Sequence, residues 1–598
     1  LIEVHVVNRY NPCRKHPCGW LWLALFWNTA VSECHVALAA TPENADSLAA
    51  FVDDYFQARF AFRPSEATGA GFHDQDGRLE DLSRARFEAR IHELRAFQKR
   101  LGELRTAERA GSPAWSEDDR IDAQILEAQI AAELLDLETI GEWKRNPMIY
   151  AGLPGSAIDV LMKRDFAPAA DRLRSAVSRM SAMPAVFAAA RANLVDPPRE
   201  FTDLAIRMAK GSIGFFRDSV AAWAAQAGAG DQALLDSFQT ANAVAIREFE
   251  AFVKWLESDL LPRSRGAYAI GPKLFLEKLR LEEMVEWPLP ELLRRGEENL
   301  EKDYRDFAAL AERIQPGRTP AEVMKSLSDD HPTAEDLIPS VRRSVEKARR
   351  FLVEKQLVTI PSEVRPRIEE TPPYARSGGF ASMDTPGPYE TKATEAFYYV
   401  TPVEADWTAQ HKEEHLRLFN QPVVDVINVH EAYPGHYLQF LYAPRFPTKT
   451  RKLIFCGTNV EGWAHYAEQM MVEEGFGAGD PKIRLAQLQE ALLRDCRYIA
   501  GIKLHTEGWS VEQAAKLFEE KAFQEPANAY EEARRGAYNP TYLYYTFGKL
   551  EILKLREEFH ARKGGSLRDF HDAFVAQGGI PLPLVRRILL GESVPSKP

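Results

Sequence analysis

Apolar side chains between residue 41 and about residue 356 recur at alternating steps of three and four, as in Ile246, Phe249, Val253, Leu256 and Leu260. That period places them along one face of a helix and leaves the charged positions on the other. The pattern predicts a framework of long amphipathic helices, with no internal repeat and no low-complexity tract. Between Leu357 and Pro402 the texture changes. Pro361, Pro366, Pro372, Pro373, Pro386 and Pro388 and the pair Gly378-Gly379 interrupt short runs such as Leu357-Val358-Thr359-Ile360 and Phe397-Tyr398-Tyr399-Val400. Proline and glycine around β-branched and aromatic runs predict a small sheet with irregular connections. An edge strand there would offer an extended peptide a pairing partner, and the competing reading is an ordinary connector. From Asp406 onward helical periodicity returns. The expected fold class is therefore mainly α with a small β element, divided into a helical region at 41–356, a Pro-rich connector with short strands at 357–405 and a helical region at 406–598.

Composition narrows the function more than the fold. The chain has 598 residues, is 45% hydrophobic and carries a formal net charge of -12. Such a length supports a large core. An acidic chain (pI about 5.8) without a basic aromatic patch or a nucleotide-binding glycine loop argues against a nucleic-acid partner. Near the amino end Arg14-Lys15-His16 precede an apolar run from Gly19 to Val31, and Ala37-Leu38-Ala39 offers a cleavage site before Thr41. Residues 1–40 thus read as a secretory leader, too short for a membrane span. The expectation is a periplasmic or secreted protein with no stable membrane insertion after leader removal; the alternative is a cytoplasmic protein with a buried helix at this end. Cys13, Cys18 and Cys34 would leave with the leader, and Cys456 and Cys496 neither require nor exclude a disulfide.

The chemistry is concentrated in His430-Glu431-Ala432-Tyr433-Pro434-Gly435-His436 and in Glu461-Gly462-Trp463-Ala464-His465. A gluzincin carries two histidines at i and i+4 with a glutamate base beside the first, then a glutamate ligand from the next helix. Here the histidines are six apart. On a regular helix that spacing turns the second side chain roughly 120° away and about 9 Å along the axis, too far to share one zinc. Pro434 lacks an amide hydrogen and Gly435 tolerates almost any backbone angle, so the pair can break the helix and swing His436 back toward His430. The competing reading is a buried helix with two satisfied core histidines. Glu461, His465 and Glu468 share a face at i, i+4 and i+7 among apolar neighbours. A buried carboxylate there needs a cation, either a metal or an internal partner such as His465 or an arginine.

From Ala396-Phe397-Tyr398-Tyr399-Val400-Thr401-Pro402 through the histidine motif and Gly508-Trp509 to Tyr545-Thr546-Phe547-Gly548-Lys549-Leu550, the chain resembles the bacterial domain of unknown function 885 family. The pattern His-Glu-x-x-Pro-Gly-His-x-x-Gln is complete with Gln439, and Asp53-Asp54-Tyr55-Phe56 and Gly77 to Ser83 are similar to that family's amino-terminal region. The resemblance implies a relation to helical zinc metallopeptidases of the thimet oligopeptidase and carboxypeptidase Taq kind. It further implies His430, His436 and Glu461 as zinc ligands, Glu431 as general base, and Tyr545 with His505 as donors to the oxyanion. Gly501-Ile502-Lys503 departs from the family's usual Asp-Thr-Gly before that histidine. Arg497 is the candidate anchor for a substrate carboxylate. By analogy the amino-terminal region would restrict the cleft to short peptides, and carboxypeptidase or dipeptidase action would follow from Arg497.

Two alternatives accompany this reading. The same metal and base would serve a zinc amidohydrolase acting on a non-peptide amide. A noncatalytic metal-containing binding protein would instead use His465 as a fourth ligand beside the three. A second motif, His411-Lys412-Glu413-Glu414-His415, spells the inverted zinc pattern with regular helical spacing. Gln410, Lys412, Glu413 and Arg417 make the stretch polar and strongly charged, as expected of a solvated helix face.

Overall fold

The computed structural model describes residues 47–592 apart from 111–113, 373–375 and 377–379. The leader expected at 1–40 and its cysteines lie outside the described residues, as do Pro373 and Gly378-Gly379. Within them the fold is mainly α, with one small three-stranded sheet. The stripe read at 246–260 occupies the helix Gln232–Trp255 and the π-helical turn Leu256–Leu260, with Phe249, Leu256 and Leu260 fully buried. Helix starts carry the expected chemistry. Ser116 accepts from the Asp119 amide while the Asp119 carboxylate accepts from the Ser116 amide, satisfying two donors at the start of Glu117–Leu134.

The sheet comprises β1 (Arg367–Glu370), β2 (Ala381–Asp384) and β3 (Phe397–Val400) in the order β1-β3-β2. Strand β3 is parallel to β1 and antiparallel to β2, with Tyr398 opposite Ile368 on one side and Met383 on the other. The run Phe397 to Val400 is a strand, buried throughout, as its aromatic and β-branched character predicts. Leu357 to Ile360 is not. Its backbone groups are taken by a distant helix: the Thr359 amide donates to Asp572 Oδ1 at 2.7 Å, and the Leu357 carbonyl accepts from His571 Nδ1 at 2.7 Å.

Six helices position the site: α1 (Gln421–Glu431), α2 (His436–Leu441), α3 (Gly457–Glu473), α4 (Pro481–Thr506), α5 (Pro526–Tyr538) and α6 (Tyr544–Lys563). They draw on two apolar clusters. One joins the amino-terminal helices to Val429, Tyr433 and Trp463; the other joins Phe275, Leu300 and Phe307 to Ile499, Tyr542 and Tyr545. Helices α3 and α6 cross at Gly462 and Gly548. A Cβ on Gly548 would stand 2.0 Å from the Thr458 carbonyl oxygen, and one on Gly462 would stand 2.6 Å from the Gly548 Cα. Only glycine allows this approach, which brings the two clusters together. Cys456 and Cys496 are buried free thiols.

Candidate metal centre and cavity

Asn420 caps α1, accepting from the Val423 amide, and Pro422 follows in the first turn, where its missing N–H is not needed. The helix is fixed from outside by Asp425, which accepts from Ser344 and Lys347, each at 2.5 Å. After Glu431 it stops. The chain passes through the cis Tyr433–Pro434 peptide, and α2 begins at His436. Gly435 packs on the end of α1 so closely that a Cβ would lie 1.7 Å from the His430 carbonyl oxygen. The Gly435 amide donates to Val429, and Trp463 Nε1 donates to the Pro434 carbonyl at 2.9 Å, tying the break to α3. Gln439 donates to Asn459 at 2.9 Å, a second tie between α2 and α3.

This path brings His430 and His436 together with their rings perpendicular and 4.8 Å apart. Glu461 Oε2 sits 3.4 Å from each Nε2. The three ligand atoms all lie within 4.8 Å of one another. Two ligand atoms about 2.1 Å from a tetrahedral zinc stand roughly 3.4 Å apart, which is the separation of Glu461 from each histidine. Glu461 Oε2 is buried and, among the described residues, makes no hydrogen bond beyond its approach to the two imidazoles, so a cation between the three would satisfy it. Burial disfavours its charge, yet His436 and His430 hold the carboxyl well below its usual range. The donor set, and the spacing of Glu461 from each histidine, fit zinc.

Glu468, fully buried one turn beyond His465, organises the surroundings. His430 Nδ1 donates to its Oε1 at 2.7 Å and His465 Nδ1 to its Oε2 at 3.1 Å, while Arg494 lies 3.3 Å from Oε1. The first bond fixes the His430 tautomer and leaves Nε2 for a metal. The competing reading of a buried carboxylate on this face of α3, paired with His465 or an arginine, describes Glu468; its bond to His430 is not readable in the sequence, because His430 comes from another helix. His465 is turned to Glu468 and does not join the three ligand atoms. Burial and then Lys549 push its pKa down to about 3.

A cavity of about 1040 Å³ opens over the three ligands. Its wall includes Leu204, Arg207, Met324 and Lys325 from the amino-terminal region, Ala381, Ser382 and Met383 from β2, and Glu431, Arg494, Arg497, Arg535 and Tyr545. The Glu431 carboxylate has no hydrogen-bond or ion-pair partner among the described residues and faces this space. Tyr545 is buried, with its ring centroid 6.4 Å from that of His430. Burial raises its pKa, Arg535 opposing, so the hydroxyl keeps its proton. It accepts from Arg535 Nη2 at 3.0 Å, and its own hydrogen remains to be donated.

Arg497 reaches the cavity, but its guanidinium is already engaged by Glu532 through bonds of 2.7 and 2.8 Å. Burial raises the Glu532 pKa, but Arg497 outweighs it and holds it at about 2, so the pair stays ionised. His505 is not brought to the site. Its Nε2 donates to the Gly536 carbonyl at 2.9 Å, and burial drives its pKa down to about 4. The inverted motif gathers no metal ligands either: His415 donates to the Thr401 carbonyl at 2.8 Å and His411 stacks on Trp407 at 4.0 Å. Arg535 escaped the sequence reading because Glu531, Glu532, Arg534 and Arg535 together look like a solvated helix face.

The model of a family described as bacterial protein of unknown function, DUF885, matches residues 64–589. The structure is similar to that of a candidate lipoprotein of unknown function from Shewanella oneidensis, at 27% identity and a TM-score of 0.74, covering 91% of this chain and 100% of that one. It also resembles a candidate lipoprotein from Colwellia psychrerythraea, at 17% identity and a TM-score of 0.75, covering 91% of this chain and 98% of that one. No curated protein matches the chain significantly.

Proposed function

The chain belongs to the bacterial DUF885 family, and from that premise and the geometry of the site we propose that it is a zinc-dependent hydrolase cleaving peptide bonds in short peptides. The observation that carries the reading is Glu461 standing 3.4 Å from both His430 and His436 beside the unpartnered Glu431, all facing one cavity. His430, His436 and Glu461 would hold the ion, leaving a position open as in catalytic rather than structural zinc sites. Bound there, zinc would supply Lewis acidity and make water acidic enough to lose a proton near neutral pH. Glu431 would take a proton from the attacking water and return it to the leaving amine. The Tyr545 hydroxyl donates to the oxygen on which charge develops. Strand β2 lies at the sheet edge and lines the cavity, so its free backbone groups can pair with an extended peptide.

His465, turned to Glu468, supports catalysis over a four-ligand structural site. The lipoprotein description of the Shewanella and Colwellia relatives supports a place outside the cytoplasm, and no helix among the described residues is long and apolar enough to cross a membrane. The test is Glu431→Gln. It keeps its zinc and loses kcat by about 100-fold or more on a peptide that the wild type cleaves. Full turnover in this variant would remove Glu431 from the mechanism.

A further inference from the structure

Among the described residues, the arginine side chains that line the cavity are ion-paired with one exception. Arg207, Arg376, Arg417, Arg494, Arg497 and Arg534 each face a carboxylate at 3.5 Å or less. Lys325 has no ion pair among the described residues but is exposed to solvent. Arg535 is different: it is partly buried, and no carboxylate among the described residues lies within ion-pair distance. Its contacts are the 3.0 Å bond to the Tyr545 hydroxyl and the face of the Tyr542 ring at 5.4 Å. One of its five N–H donors is accounted for, in a place where an uncompensated charge is costly.

We propose that Arg535 binds the terminal carboxylate of the substrate, so that the enzyme removes residues from the carboxyl end of short peptides. This rests on the hydrolase reading above and narrows it. A guanidinium fork matches a carboxylate in two parallel bonds, and an anion here would supply directly the counter-charge that Glu532, already bonded to Arg497, supplies only from beyond ion-pair distance. The position suits that role. Arg535 is one hydrogen bond from Tyr545, and Tyr545 stands beside His430, so a carboxylate on Arg535 lies a short distance from the metal ligands. A last residue anchored there presents the peptide bond before it. Water adds its oxygen to that carbonyl carbon, the C–N bond breaks, and the proton goes to the departing amine, leaving a shortened peptide and a free amino acid. Arg497, expected from sequence to anchor the carboxylate, is instead occupied by Glu532. That pair forms part of the wall.

The experiment compares pentapeptides bearing a free carboxyl end with the same peptides as terminal amides. Zinc-loaded wild type, Arg535→Met and Arg535→Lys are followed by mass spectrometry, and equilibrium binding of both peptide forms is measured alongside. The expected result is release of single carboxy-terminal residues, with kcat/KM for the free acid roughly 100-fold above the amide in wild type. That ratio collapses toward one in Arg535→Met and is partly kept in Arg535→Lys. Equal cleavage of acid and amide by wild type, or an unchanged ratio in folded, zinc-loaded Arg535→Met, overturns the assignment. If wild type cleaves neither form, the peptidase reading falls. The binding arm then decides the anchor: a preference for the free acid that Arg535→Met abolishes supports it, and equal binding of both forms overturns it.

Discussion

Glu468 makes no contact with the cavity, yet it holds His430, His465 and Arg494 at once. Its carboxylate accepts the Nδ1 proton of His430, and this bond both chooses the tautomer and raises the basicity of the nitrogen offered to a metal. Glu468→Gln keeps the shape and loses the charge. We expect zinc affinity, measured by competition with a chromophoric chelator, to fall by roughly 10- to 100-fold. An unchanged affinity would mean that Glu468 serves packing alone. His430, His436 and Glu461 were legible as candidate ligands from the Pro-Gly-interrupted motif and from the family resemblance. Glu468 was legible as a buried carboxylate of the α3 face needing a metal, His465 or an arginine, but not as the partner of His430, and Arg535 not at all, because those roles depend on what other helices bring.

At the scale of elements, two close approaches do the positioning. Gly435 folds the chain against the end of α1 so that His436 returns to His430. Gly462 and Gly548 let α3 and α6 touch, which sets Glu461 beside Tyr545. Gly548→Ala places a methyl group 2.0 Å from the Thr458 carbonyl oxygen. Overpacking of this kind costs about 1–3 kcal/mol, so thermal unfolding should move to lower temperature. Gly214, in the helix Arg199–Phe215, has open space where its Cβ would be, and Gly214→Ala should leave the melting temperature unchanged or slightly raised. Equal behaviour of the two variants would contradict the close crossing. The break after α1 could be read in advance, since Pro-Gly is a local signal. The loop at 357–360 could not, because the groups that keep it from pairing as a strand are Asp572 and His571, more than two hundred positions away.

The whole molecule puts this machinery where its two apolar clusters meet. Helices α1, α2 and α3 belong mainly to the cluster shared with the amino-terminal region, while Tyr545 belongs to the one built around Phe275 and Phe307. The helical framework was readable because period-3.6 patterning is a local property of each segment. The cavity was not, since its wall combines Leu204, Met324, Met383 and Glu431, which no local pattern connects. Everything proposed for this wall depends on a metal between His430, His436 and Glu461. Elemental analysis of the purified protein, wild type beside His436→Ala, tests that directly. About one zinc per wild-type chain is expected, and its loss in the folded variant. Wild-type protein that contains no metal and takes up none when zinc is added would contradict it and return both histidines to the core.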